Sequence, residues 1–206
     1  MGPDSPLFHW INGWPNALEP FFVSLSEGNK WWPVRLGLLA MVIWMLWRRP
    51  TRWAVICAML AWPIANEMTD ILKNGLQDLR PTVALEPGTF NLRVPMMTSF
   101  GTASAHSANM MAVATALWFW IRKEPTEKFP WVPIWFAIAV LVGISRIYVG
   151  VHWPRQVLFG WGVGAATALT VCWAVWSLGG RRVWAPPVEA PSSELPTSDS
   201  PPAEDR

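Results

Sequence analysis

Five long apolar runs divide the chain, and each is close to the length of a helix that crosses a membrane. They cover residues 31–47, 53–72, 103–121, 131–148 and 157–178. A bilayer is crossed by about 20 predominantly apolar residues in helical conformation. The pattern therefore predicts an all-α fold, an integral membrane helical bundle with about five transmembrane helices.

The two ends of the chain differ from this pattern. Residues 1–30 place apolar side chains at helical spacing but are interrupted by four prolines, Pro3, Pro6, Pro15 and Pro20. This segment lacks the uninterrupted apolar centre of a cleavable signal, so we expect a kinked interfacial helix. From residue 179 on, proline, serine and acidic residues dominate and cannot bury a core. The predicted organisation is an N-terminal interfacial segment (1–30), a transmembrane domain (31–178) and a disordered cytoplasmic tail (179–206).

Composition supports a membrane protein and argues against a nucleic-acid binder. Hydrophobic residues make up 52% of the chain and charged residues only 15%, below the roughly 25% of a soluble domain. The formal net charge of +2 is too small for a nucleic-acid partner. Cys57 and Cys172 both lie within apolar runs, which indicates packing residues and no disulfide framework.

The basic residues between the runs predict the orientation in the membrane. Short clusters follow alternate runs in such a way that they all share one side, and the positive-inside rule assigns that side to the cytoplasm. They are Arg48, Arg49 and Arg52, then Arg122, Lys123 and Lys128, then Arg181 and Arg182. We therefore expect a multi-pass protein of the cell membrane, such as a bacterial inner membrane. Three polar segments then fall at the extracytoplasmic ends of the helices.

The first polar segment contains Lys73 and Arg80. The two residues are seven apart, so a continuing helix would point them the same way, about 10 Å apart. A planar guanidinium and a compact ammonium together suit a phosphoryl group. The simpler alternative is that both side chains extend to water from a helix end.

The second polar segment, residues 101–109, opens the third apolar run with small residues. Thr102 or Ser104 is positioned to cap the helix, and the free N–H groups of its first turn attract an anion. His106 follows one turn inside. A hydrogen-bonded packing role is the alternative for this histidine.

The third polar segment, residues 145–156, contains Arg146 and His152. A neutral imidazole can attack phosphorus to form a phosphohistidine, while a second histidine protonates the leaving oxygen. The sequence shows no cluster of His, Cys, Asp and Glu that suggests a metal site. A mechanism without metal or other cofactor fits these residues better than a metal-assisted one.

Taken in order, the three segments resemble the signatures of a known family. Lys73 to Pro81 matches Lys-x6-Arg-Pro, Ser104 and His106 fall where that family has Pro-Ser-Gly-His, and Ser145-Arg146-x5-His152 matches the third signature. Over about residues 60–175 the chain is similar to the type 2 phosphatidic acid phosphatase (PAP2) family of membrane lipid phosphatases. The resemblance implies a helical bundle, an outward-facing site and no metal.

The resemblance also implies a role for each matching residue. It makes His152 the nucleophile and His106 the general acid. It assigns phosphate binding to the remaining positions, which are Lys73, Arg80, Ser104, Ala105 and Arg146.

This sequence departs from the family pattern at three positions. Ala103 and Ala105 replace the proline and glycine of the second signature, and Gln156 stands where the family has an aspartate that orients the nucleophilic imidazole. A neutral amide orients the ring but supplies no charge. One hypothesis is that Glu67 or Asp70 supplies the carboxylate. The simpler alternative pairs Asp70 with Lys73, three residues on.

The function predicted from these observations is hydrolysis of a phosphate or pyrophosphate monoester of a lipid at the outer membrane face. Polyprenyl pyrophosphate, phosphatidylglycerophosphate and phosphatidate all fit, and the sequence does not choose among them or define an oligomeric state. One alternative is a catalytically impaired lipid-phosphate-binding protein, favoured by Gln156. Another is a transporter subunit or membrane scaffold. Arg93 and Arg155 lie on the same face, where contact with a second phosphate is one alternative, and they are interpreted as solvated surface charge.

Overall fold

Every regular element in the described part of the chain is helical. The computed structural model describes residues 4–122 and 131–180. The N-terminal segment forms two short helices, each followed by a 3-10 turn, and the rest forms five longer helices and one short one. The elements are α1 (Ser5–Asn12), α2 (Glu19–Glu27), α3 (Trp32–Trp47), α4 (Arg49–Leu76), α5 (Pro81–Ala84), α6 (Ala105–Ile121), α7 (Val132–Tyr148) and α8 (Pro154–Val175), which continues as a π turn.

The all-α class is thus confirmed over the described residues. Two stretches are long and apolar enough to cross a membrane: Thr51–Ala84, which contains most of α4 with the turn and α5 after it, and Pro154–Leu178. Trp32–Trp47 and Val132–Tyr148 are shorter apolar helices. Five spans remain a prediction. The basic residues Lys123 and Lys128 and the predicted tail from residue 181 on lie outside the described residues.

The end of α4 differs from the expectation that Lys73 and Arg80 share one helix. α4 ends at Leu76 because Gln77 adopts a left-handed conformation, with φ of 51°. Arg80 follows in an extended conformation. Pro81 occupies the first position of α5, where its missing N–H costs nothing. The chain therefore turns between Lys73 and Arg80, and the side chains do not point the same way along a helix.

α6 is the central helix, and it packs against α4, α7 and α8. Its contact with α8 is close because small residues face each other: a Cβ on Gly164 would overlap the backbone of Ala108. Small residues allow membrane helices to approach in this way. The predicted packing role of the cysteines is confirmed, since Cys57 and Cys172 are both free and buried.

The N-terminal segment packs onto the ends of α7 and α8 where the polar segments lie. Phe8 and Phe22 join a buried cluster with Tyr148 and Trp153. Arg93 is part of this packing: it donates hydrogen bonds to the carbonyl oxygens of Asn12 (3.0 Å) and Tyr148 (2.8 Å). Its side chain is only 4% exposed, so the interpretation of Arg93 as solvated surface charge is wrong.

Candidate active site

The ends of α6, α7 and α8 meet at one end of the bundle and bring the polar segments together. Arg146 lies in the last turn of α7, and His152 lies in the connection to α8. The N–H of Ser104, just before α6, donates to the carbonyl oxygen of Gln156 at 2.9 Å. This bond joins the second and third polar segments directly.

His152 is held on both sides of its ring and is 2% exposed. Its Nε2 lies 2.7 Å from a guanidinium nitrogen of Arg80, and its Nδ1 lies 3.0 Å from Oε1 of Gln156. A guanidinium only donates hydrogen bonds, so Nε2 accepts and Nδ1 carries the proton. Burial lowers the pKa of His152 well below its ordinary value, and the charges of Arg80 and Arg146 lower it further. The ring is neutral, with the lone pair of Nε2 facing Arg80.

Arg80 is fixed by the backbone around it. Its Nε donates to the carbonyl oxygen of Ser99 at 2.8 Å, and the nitrogen that contacts His152 also donates to the carbonyl oxygen of Val151 at 3.3 Å. The second terminal nitrogen lies 3.3 Å from the hydroxyl of Ser99. The guanidinium is therefore aimed at the Nε2 side of His152 and has no freedom to extend into water.

Arg146 reaches the same cluster from α7 and is held by the N-terminal segment. It donates to the hydroxyl of Ser26 and to the carboxylate of Glu27, the latter at 3.2 Å. Burial alone would raise the pKa of Glu27, but hydrogen bonds from Lys30 and Arg146 outweigh it and lower the pKa. The carboxylate is thus ionised beside a buried arginine.

Met97 lies between the two arginines. Its sulfur is 3.7 Å from Arg80 and 3.5 Å from Arg146. Because a thioether is only a weak acceptor, an anion placed between the two guanidinium groups would be a far stronger partner for both. The arrangement therefore suits an anion between the two arginines.

His106 lies in the first turn of α6 and is less hydrogen-bonded than His152. Ser104 caps α6 as predicted, its hydroxyl accepting from the N–H of Ser107 at 3.4 Å, and Ala105 is the first residue of the helix. The Nε2 of His106 and Oδ1 of Asn109 are both buried without a hydrogen-bond partner. The charges of Arg80 and Arg146 act on His106 as they do on His152.

A largely apolar cavity of about 400 Å³ adjoins His106 between α3, α4, α6 and α7. Asn109 also lines it, and the rest of the lining is mainly Met, Val, Leu and Trp side chains that include Met41, Met45, Met59, Met110 and Trp135. Such a lining suits a hydrocarbon chain. A polar site and an apolar cavity therefore share His106.

Lys73 is the predicted site residue that the structure leaves apart. Its ammonium lies 2.7 Å from the carboxylate of Asp70, which is the simpler pairing considered above. Within the described residues, no hydrogen bond joins Lys73 to Arg80, His106 or His152. Glu67 is exposed on α4, so neither proposed substitute carboxylate contacts Gln156.

The carboxylate that does contact Gln156 belongs to Asp78. The amide nitrogen of Gln156 donates to Asp78 at 2.9 Å and to the carbonyl oxygen of Leu79 at 3.0 Å. Arg155 forms an ion pair with Asp78 and another with Asp4, so it is not simply solvated. No sequence pattern pointed to Asp78 or Glu27, because neither stands at a regular spacing from His152 or Arg146.

The fold and the site together define a class: helical membrane proteins with a buried histidine and arginine cluster that suits a phosphate. Residues 52–179 match the model of the PAP2 superfamily, and the chain belongs to that superfamily. The predicted family is therefore confirmed.

Three relatives extend this finding. The undecaprenyl-diphosphatase of Sulfolobus acidocaldarius is 31% identical over 150 residues, which are 73% of this chain and 66% of that protein. Phosphatidylglycerophosphatase B of Bacillus subtilis is 30% identical over 119 residues, 54% of this chain and 53% of that protein. The chain thus spans slightly under two thirds of the first relative and about half of the second. The crystal structure of Aquifex aeolicus LpxE aligns with a TM-score of 0.66 at 26% identity, covering 83% of this chain and 95% of that one.

Proposed function

We propose that this protein is a membrane phosphatase that hydrolyses the phosphate or pyrophosphate monoester of a lipid through a phosphohistidine on His152. The observation that carries the proposal is the state of that ring. Its Nε2 is an unprotonated, buried acceptor aimed at a fixed guanidinium, and its Nδ1 is hydrogen-bonded on the other side. A nucleophile for phosphorus needs an unprotonated lone pair, and a bound phosphoryl group would take over the hydrogen bond that Arg80 now donates to it.

The proposed reaction has two steps. The Nε2 lone pair of His152 forms a bond to phosphorus while the bond to the leaving oxygen breaks, and His106, which takes up a proton when the phosphate anion binds beside it, donates that proton to the leaving oxygen. Water then attacks phosphorus, the N–P bond breaks, and His106 takes a proton from the water. Arg80 and Arg146 stabilise the phosphoryl oxygens in both steps, together with the N–H groups at the start of α6.

The lipid nature of the substrate is supported by the apolar cavity next to His106. His106 lines this cavity, and the charges of Arg80 and Arg146 act on its ring. A hydrocarbon chain in the cavity would therefore bring its phosphate head group toward the two arginines. The names of the relatives describe phosphatases of an undecaprenyl diphosphate and of phosphatidylglycerophosphate. For this chain we infer the same group of lipids, with phosphatidate as the third member.

In the proposed membrane arrangement, α3, α4, α6, α7 and α8 are the five spans. The alternation of basic clusters supports a cytoplasmic side at the opposite end of the bundle from His152. The site would then face the extracytoplasmic side, where a lipid head group in the outer leaflet reaches it without crossing the bilayer.

The test is phosphate release by purified protein in detergent, in the presence of a chelator, from the three lipids in parallel. His152→Ala is the matched variant. We expect release by the wild type, loss in the variant, and transfer of labelled phosphate to the wild-type protein as an acid-labile, alkali-stable adduct. Tight binding of lipid phosphate without release would instead support the impaired binding protein. A protein that neither binds lipid phosphate nor releases phosphate from it would instead be a scaffold or transporter subunit.

A further inference from the structure

We propose that Asp78 is a positioning residue for His152 and acts on it through the side-chain amide of Gln156. The proposal rests on the function proposed above. It explains how this chain can use a neutral glutamine beside its nucleophile, because the missing negative charge lies one side chain further away.

The hydrogen bonds of Gln156 define a single orientation of its amide. Oε1 accepts from the backbone N–H of Trp153 at 3.2 Å, and Nε2 donates to the carbonyl oxygen of Leu79 at 3.0 Å. A reversed amide would oppose donor to donor and acceptor to acceptor. Oε1 therefore faces Nδ1 of His152 at 3.0 Å, and Nε2 faces the Asp78 carboxylate at 2.9 Å.

This orientation determines what the linked hydrogen bonds from Asp78 through Gln156 to His152 can do. An amide does not transfer a proton between its oxygen and its nitrogen at neutral pH, so no proton passes from His152 to Asp78. The carboxylate polarises the amide, and the polarised Oε1 becomes a better acceptor for the N–H of the ring. As the N–P bond forms, positive charge develops on the imidazole, and this acceptor stabilises it.

Asp78 is itself held from several directions. Its backbone N–H donates to the hydroxyl of Thr102 at 3.1 Å, and its carbonyl oxygen accepts from Gly101 at 2.8 Å. Arg155 contacts both oxygens of the carboxylate, at 2.9 and 3.2 Å. Because these bonds tie Asp78 to the loop before α6, the carboxylate cannot turn away from Gln156.

The ion pair with Arg155 leaves the direct bond between Gln156 and Asp78 in place. Arg155 also pairs with Asp4, but the amide of Gln156 donates to Asp78 at 2.9 Å, so the Asp78 carboxylate acts on the amide at contact distance. Asp4 is therefore a natural control. It shares Arg155 with Asp78, but the described hydrogen bonds to its carboxylate come from Arg155 and not from Gln156.

The experiment compares lipid-phosphate hydrolysis by Asp78→Asn and Asp4→Asn. The asparagine keeps the size of the side chain but removes the charge. We expect kcat to fall about 10- to 100-fold in Asp78→Asn, by analogy with the loss of the hydrogen-bond partner behind a metal-binding histidine, with KM nearly unchanged. Asp4→Asn should stay within about twofold of the wild type, a change of under 0.5 kcal/mol.

A rescue variant separates positioning from a structural role. In Asp78→Asn/Gln156→Glu the carboxylate lies directly against Nδ1, and the new asparagine can donate to it. We expect this double variant to recover most of the lost kcat. If Asp78→Asn does not fold, Gln156→Met breaks the same chain with the Asp78–Arg155 pair intact and should show the same loss.

Three results would overturn the proposal: wild-type kcat in Asp78→Asn, equal losses in Asp78→Asn and Asp4→Asn, or no recovery in a folded double variant. Wild-type kcat in Gln156→Met has the same meaning. These results leave the phosphatase function standing if the wild type is active and His152→Ala is not. A wild type that releases no phosphate from any of the three lipids overturns both proposals.

Discussion

The two histidines of the site lie in regions of opposite character. The bonded half, made of His152, Arg80 and Gln156, has each imidazole nitrogen and the amide of Gln156 hydrogen-bonded. The open half, made of His106, Asn109 and the apolar cavity, leaves a nitrogen of His106 and an oxygen of Asn109 buried without partners. A nucleophile such as His152 benefits from being aligned before the substrate binds. In the open half, a bound ligand would have to provide the missing hydrogen-bond partners.

The unpaired atoms of the open half destabilise the protein when no ligand is bound. A buried donor or acceptor without a partner costs about 1–3 kcal/mol. The open half carries this cost at two atoms, and a ligand that supplies partners would remove it. We therefore expect substitutions in the bonded half to lower turnover of every substrate, and substitutions in the open half to have effects that differ from one substrate to another.

The largest expected effect is the loss of turnover when either histidine is replaced, and only for His106 should this loss depend on the leaving group of the substrate. His152→Ala should lose at least about 10⁴-fold in turnover with every substrate, because no N–P bond forms. His106→Ala should lose about 10²- to 10⁴-fold with a lipid alkoxide as leaving group. With a nitrophenyl phosphate, whose leaving oxygen needs no proton, the loss in His106→Ala should shrink.

Turnover of both variants on the two substrate types provides the measurement. Equal losses for His106→Ala on both substrates would contradict a general-acid role for the open half.

A single added methyl group tests how tightly the bonded half is packed. A Cβ on Gly101 would lie 2.6 Å from Cγ of Arg80 and 2.7 Å from Oε1 of Gln156, so Gly101→Ala displaces both partners of His152. We expect about a 10²-fold loss of kcat, similar to the removal of one transition-state donor.

Gly162→Ala is the matched control, since a Cβ there meets nothing within 4 Å. Comparable kcat in Gly101→Ala and Gly162→Ala would show that the bonded half tolerates displacement.

Filling the cavity tests the open half. Met110 lines it, and Met110→Trp would occupy space that the proposed lipid tail needs. We expect kcat/KM to fall roughly tenfold, near the lower end of what lost pocket contacts cost, for a long-chain lipid phosphate. Met110→Trp should hydrolyse a short-chain phosphate as fast as the wild type does. An equal loss of kcat/KM on both substrates would contradict the proposal that the cavity binds the lipid tail.

The smallest expected effect is on stability. Because the pKa of His152 is lowered in the folded protein, the unfolded chain takes up a proton below about pH 6.5 and the folded ring does not. Stability is therefore unaffected above that pH and falls as the pH falls below it, by up to about 2 kcal/mol at pH 5. His152→Gln should show a smaller drop in unfolding midpoint between pH 7 and pH 5 than the wild type, and an identical drop would contradict the neutral ring.

The sequence by itself determined the helical class and the family. Hydrophobic runs are local and long, so helix positions such as α3 and α7 were predicted within a residue or two, and the order of the three polar segments pointed to the PAP2 superfamily. The roles of His106 and His152 remain predictions. Their location at the same end of the bundle follows from the alternation of helices, which also is a property of the sequence.

Only the tertiary structure decided which side chains meet. The left-handed residue Gln77 ends α4 at Leu76, and the chain that follows brings Asp78 to Gln156 and Arg80 to His152. Glu27 reaches Arg146 across 119 positions of the chain. Such contacts depend on the direction in which a backbone leaves a helix and on how distant segments pack, and neither is encoded in residue spacing.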